Sequence, residues 1–173
     1  MAPSSKMQLL DTIMERACDI LGDVTPHVFN LYYVTFPEAR AHFVKHARSK
    51  CGQLEGQMVE QILYCLMEWP EFPEQVKIIL LDCGPHHVET LDIPPGLFYG
   101  LIDAVCNVID KTIPQQEEDE KALWKSIHND VRAVCLDQLE TVGKGSFRRD
   151  GSRPRMTMEL KEVGLDVGER RVG

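Results

Sequence analysis

The chain is predicted to fold as an all-α domain, on three observations. Apolar residues recur at three- and four-residue steps along most of its length. No segment shows the strict two-residue alternation of a half-buried strand. Short turns rich in Gly and Pro separate seven or so helical segments. No heptad is sustained for three repeats, so the expectation is a compact helical globule and not a coiled coil.

The first helix is expected from Lys6 to Leu21, with Met7, Leu10, Ile13, Met14, Ala17, Cys18 and Leu21 as its stripe and Gly22 ending it. Thr25 is read as a cap and Pro26 as the first helical turn of a second helix over 26–35, with Phe29, Tyr32 and Tyr33 on its apolar side. Phe36-Pro37 marks a sharp turn into a short helical piece. Between Cys51 and Trp69, the set Leu54, Met58, Ile62, Cys65 and Leu66 has the helical period, and Pro70 stops it. Residues 73–83 read as a helix that Gly84-Pro85 breaks before a short turn carrying His86 and His87. From Pro95 to Ile113 the apolar density predicts a deeply buried helix closed by Pro114. A last helix follows from Glu117 to Val142, striped by Leu123, Trp124, Ile127, Val131, Val134, Cys135 and Leu139. The acidic run Glu117-Glu118-Asp119-Glu120 favours its start through the helix dipole.

With 173 residues, 43% of them hydrophobic, and no internal repeat, the chain has material for one well-buried core. The expected division is a domain over 1–143 and a flexible, Arg-rich tail over 144–173, for which a docking arm is the alternative reading. A net charge of -8 argues against the broad basic face that nucleic-acid binding requires. No apolar run approaches the roughly 20 residues that cross a bilayer, and the start lacks the apolar stretch of a signal peptide. The expectation is therefore a cytoplasmic protein with no nucleic-acid or membrane partner. Its six cysteines include no Cys-x-x-Cys pair and read as small buried hydrophobes in a reducing compartment. There is no Gly-rich phosphate loop, no metal-spaced His or Cys cluster and no Gly-x-Ser-x-Gly elbow.

One pattern stands out against this background. Phe36-Pro37 is followed six residues later by Phe43, and His87 is followed at fixed spacing by Leu91, Ile93 and Phe98. In this order and spacing the chain resembles the globin family from helix B to the start of helix G, and the resemblance extends over about residues 6–142. It implies a globin-like fold of about seven helices around a heme pocket. It also implies heme b as cofactor, with Phe43 packed on the porphyrin face and His87 ligating the iron. His86 is the fallback ligand if Gly84-Pro85 rotates the turn by one residue.

The distal side departs from the family's common pattern, because no histidine lies between residues 47 and 85. The apolar stripe turns Leu54 and Met58 toward the heme, and a register one residue earlier would offer Gln53 and Gln57. Two amides buried without partners would cost about 1–3 kcal/mol each, which favours the first register. Met58 directly over the iron also fits. In the second helix, the position eight residues before Pro37 usually faces the bound ligand, and here it is Phe29, which cannot donate a hydrogen bond. Such a wall favours CO or NO over O2. His42 and His46 fall near the expected heme edge, with propionate contact or, for His46, internal ligation as alternatives to a solvated loop position.

The resemblance thus implies reversible binding of a diatomic gas (O2, CO or NO) in a pocket made by His87, Phe29, Phe43, Leu54, Met58, Leu91, Ile93 and Phe98. Carrier and gas sensor are both open, as are a homodimer and a signalling partner. A heme-free globin-fold interaction module is the runner-up. An enzymatic role, as nitric-oxide dioxygenase or peroxidase, would call for a reductase partner or polar distal groups.

Overall fold

Seven α-helices and one π-helical turn account for the regular structure of the computed structural model, which describes residues 5–145 and side chains as far as Asp137. Among the described residues there is no strand. The helices are α1 (Ser5–Leu21), α2 (Val24–Thr35), α3 (Ala39–His46), α4 (Cys51–Glu68), α5 (Pro73–Pro85), α6 (Pro95–Asp110) and α7 (Glu118–Gly145), with the π turn over His86–Thr90. Of the tail expected over 144–173, residues 144–145 continue α7 and the rest lie outside the described residues. No described helix is long and apolar enough to cross a membrane.

Most boundaries follow from local chemistry. Gly22 takes φ +64°, which a glycine adopts without a Cβ penalty, and its N–H closes α1 on the Cys18 carbonyl at 2.9 Å. The cap of α2 is Asp23 and not Thr25. Its carboxylate accepts from the Thr25 N–H at 2.9 Å, so the helix begins at Val24, two residues earlier than expected. The larger correction concerns Gly84-Pro85, which does not break the chain. Pro85 has φ -59° and ψ -39°, so its fixed ring angle is already helical. The helix continues one register wider, with the Leu91 N–H donating to the His86 carbonyl five residues back at 3.1 Å. At the other end of the chain, α6 stops at Asp110, and Thr112 and Ile113 form tight turns onto Ile109 and Asp110.

The packing order places α2 across α6, and α5, α6 and α1 against α7, while α4 touches α2, α3, α5, α6 and α7. Leu10, Ile13, Leu66, Val76, Val105, Ile109, Trp124 and Val131 are fully buried where these faces meet. Two polar clusters tie the ends together. Arg16 on α1 donates to both carboxylate oxygens of Glu120, so this residue of the acidic run pins α7 to α1 besides facing its own helix start. Asp103 on α6 accepts from His128 Nε2 at 2.7 Å and from Arg132 Nε at 3.0 Å, and the Arg132 guanidinium lies over the Tyr99 ring at 5.4 Å. Burial pushes the Asp103 carboxyl up, but the His128 and Arg132 bonds outweigh it and hold the group below its usual range.

Gly100 is the point of closest approach between α6 and the Phe36-Pro37 turn. A Cβ there would stand 2.6 Å from Cε2 of the Phe36 ring, so even a methyl group must displace an aromatic side chain packed against the core. Gly100→Ala is expected to lower stability by about 1–3 kcal/mol, the usual cost of overpacking, and the melting temperature by roughly 3–10 °C. Thermal unfolding followed by circular dichroism checks this; an unchanged midpoint would mean that the Phe36 ring moves aside freely.

Candidate functional site

A cavity of about 620 Å³ opens between α3, α4, the α5–π turn and the start of α6. Its size falls within the roughly 300–1,000 Å³ range of small-molecule sites. His87, Phe43, Leu54, Met58, Leu91, Ile93 and Phe98 all line it, although they come from four separate stretches of sequence.

His87 is held on the π turn. Its Nδ1 is 2.7 Å from the Cys83 carbonyl oxygen, and because a carbonyl only accepts, Nδ1 must carry the proton. Nε2 is then the ring nitrogen with a free lone pair. Burial lowers the pKa of the imidazole, which favours the neutral form that ligates metals. The ring lies 5.1 Å from that of Phe98, and the His87 carbonyl accepts from the Ile93 N–H at 3.0 Å. One turn of chain thus fixes His87, Leu91 and Ile93 relative to each other. Asp92, between the last two, bends the backbone at φ +55°. His86 is exposed and does not line the cavity; its ring stands 5.9 Å from that of His87.

On α4, Leu54, Met58, Gln61, Ile62 and Cys65 face the cavity, while Gln53 and Gln57 are exposed. The register with Leu54 and Met58 inward is the one found. Gln61 extends the same stripe, and its amide reaches the Cys65 sulfur at 3.8 Å.

Phe29 requires a correction, since it is not a lining residue. It is only 4% exposed and sits behind Phe43, the ring centroids 4.9 Å apart, with Tyr33 at 5.3 Å. Tyr32 takes the cavity wall in its place. The reason is a long-range bond: the Tyr32 hydroxyl donates to the Leu97 carbonyl at 2.8 Å, drawing this longer side chain across to the start of α6. Burial raises the pKa of that hydroxyl, so it stays protonated and keeps donating to Leu97. Tyr33 turns the other way and donates to Glu55 at 2.6 Å.

The cavity's polarity is uneven. Lys45 and Arg48 line it together with His42 and His46, whereas no Asp or Glu does, in a chain with 27 acidic residues. The run Lys45-His46-Ala47-Arg48 was the available signal for this basic edge. His42 and His46 belong to α3 itself and not to a solvated loop; Nδ1 of His42 and Nε2 of His46 are buried with no hydrogen-bond partner. Arg48 and Ser49, which follow, adopt φ +45° and +73°, left-handed values that cost a side-chain-bearing residue free energy.

No family model, curated protein or solved structure matches this chain. What the site does must therefore be argued from its own chemistry. All six cysteines are free, and burial raises the pKa of the Cys65 and Cys83 thiols at the cavity, which keeps them as weakly reactive thiols. Among the described residues no group of three or more His, Cys, Asp or Glu could hold a metal ion. A metal here would have to bring most of its ligands with it.

Proposed function

We propose that the chain is a globin that binds heme b through His87 and takes a diatomic gas reversibly, as a carrier or a sensor. The observation that carries this reading is the bond from His87 Nδ1 to the Cys83 carbonyl, which leaves Nε2 as the ligating nitrogen in an apolar cavity. Metal-binding histidines are commonly oriented in this way by an outer-shell acceptor, which also fixes the tautomer.

Three further features fit the same group. The cavity has apolar walls for a flat macrocycle in Phe43, Leu54, Leu91, Ile93 and Phe98, and a basic edge at Lys45 and Arg48 suited to propionate carboxylates. The unpartnered nitrogens of His42 and His46 await a polar or metal partner. The all-helical packing, with α2 across α6 and with α5 and α6 against α7, supports the reading at the level of fold class. Bound heme would supply the iron that takes the gas.

The chain's own residues then have separate tasks. Cys83 orients His87, Phe98 packs against its ring, and Leu54, Met58 and Ile62 form the apolar part of the α4 wall, beside Gln61. Because the Tyr32 hydroxyl is committed to Leu97, that tyrosine has no proton to offer a ligand. The apolar stretch of Leu54, Met58 and Ile62 suits CO and NO, which depend less than O2 on a donated hydrogen bond, and leaves Gln61 as the α4 side chain able to donate one.

Hemin added to the full chain should produce an intense Soret band at one equivalent, and CO should shift the spectrum of the reduced protein. No Soret band would sink the proposal.

A further inference from the structure

Buried polar atoms without partners are rare enough that each calls for a cause, and among the described residues two stand on successive turns of one short helix. His42 and His46 are four residues apart on α3, so they share a face, and both line the cavity that holds His87. We propose that His46 Nε2 is the second axial ligand of the iron, so that the resting heme is closed by His46 and an external gas must displace it. This rests on the heme reading above.

His46 is preferred to its neighbour on chemical grounds. Its unpartnered atom is Nε2, at the outer end of the ring, whereas that of His42 is Nδ1, next to the Cβ and close to the helix backbone. A nitrogen shut off from water and bonded to nothing is costly in either tautomer, and coordination relieves that cost. His46 and His87 line the same cavity from different elements, α3 and the π turn. The rest of the cavity offers weaker candidates. No histidine stands on α4, Met58 brings only a thioether, and Cys65 and Cys83 are held as thiols by burial.

His46 also has a means of travel. Its helix closes where the Ala47 N–H bonds the Phe43 carbonyl at 2.8 Å, and the strained pair Arg48 and Ser49 follows at once. Backbone in such conformations gathers at ligand clamps and switches, where relaxation drives a movement. The ligand exchange needs no other reactant. The lone pair of neutral Nε2 makes the bond, Nδ1 keeps its proton, and an incoming gas returns the imidazole unchanged.

The test is the coordination state of the full chain loaded with hemin, read by optical and electron paramagnetic resonance spectra without added ligand, and by CO binding to the reduced protein. The inference requires a six-coordinate low-spin wild type that becomes five-coordinate in His46→Leu and in the bulkier His46→Phe, each checked for helical content. If His46 occupies the iron in at least nine molecules of ten, apparent CO affinity should rise about tenfold or more in these variants, since a binding-competent fraction scales the apparent constant. A wild type with a Soret band but a five-coordinate spectrum overturns the inference and leaves the heme reading standing. A low-spin spectrum that survives both His46 variants and is lost in Met58→Leu or His42→Leu also overturns it. Absence of any Soret band overturns both readings.

Discussion

Under the proposed heme reading, replacing His87 by alanine is expected to weaken heme retention by more than about 100-fold, because loss of a mere outer-shell partner of a metal ligand already costs roughly 10–100-fold. The effect is specific to the iron. The His87 side chain makes one hydrogen bond, to a carbonyl within its own helical turn, so helical content should be preserved. The rate of heme loss to a high-affinity acceptor protein measures the change. His87→Gly supplies a positive control, since free imidazole entering the vacated space should restore a nitrogen-ligated spectrum. Unchanged spectrum and retention in His87→Ala would show that the iron is held elsewhere.

Trp124→Ala is expected to cause the largest loss of stability in the domain. The indole is 1% exposed, among the largest fully buried side chains, and its Nε1 donates to the Cys106 carbonyl at 3.0 Å between α7 and α6. Truncation leaves a cavity and removes the indole hydrogen bond together. The cavity alone costs about 3–5 kcal/mol, and the lost bond, to a carbonyl that keeps its place in the α6 ladder, adds roughly 0.5–1.5 kcal/mol. Trp124→Phe keeps most of the ring but removes the donor, so it should cost only the second part. Urea unfolding at 25 °C separates the two variants; equal midpoints would show that the indole N–H contributes nothing.

How much of this was legible in the sequence depended on how local the deciding interaction is. The stripes that placed α1, α4 and α7 need only a helical period and a core to face, and the register of Leu54 and Met58 followed from the same rule. Asp23 was missed as a cap because it stands two residues before Thr25, and both are good capping residues; which one is used depends on where the chain leaves Gly22. Gly84-Pro85 looked like a break, yet a proline with a helical φ lets the chain continue when the following turn widens. Phe29 and Tyr32 lie on neighbouring parts of one helical face, so periodicity makes both inward. Depth along that face was set by the Tyr32 bond to Leu97, 65 residues away, which no local pattern contains.

The two sides of the cavity differ in how firmly they are held. On one, the π turn and the start of α6 are locked by the His87, Leu91, Ile93 and Tyr32 hydrogen bonds. On the other, α3 is eight residues long, has no side-chain cap at its start, and is followed, after Ala47, by two left-handed residues that would gain by relaxing. The molecule is a clamp with one fixed jaw and one sprung jaw. Whatever enters or leaves should do so beside α3, and substitutions at Arg48 or Ser49 should alter the speed of that traffic more than they alter the grip of His87.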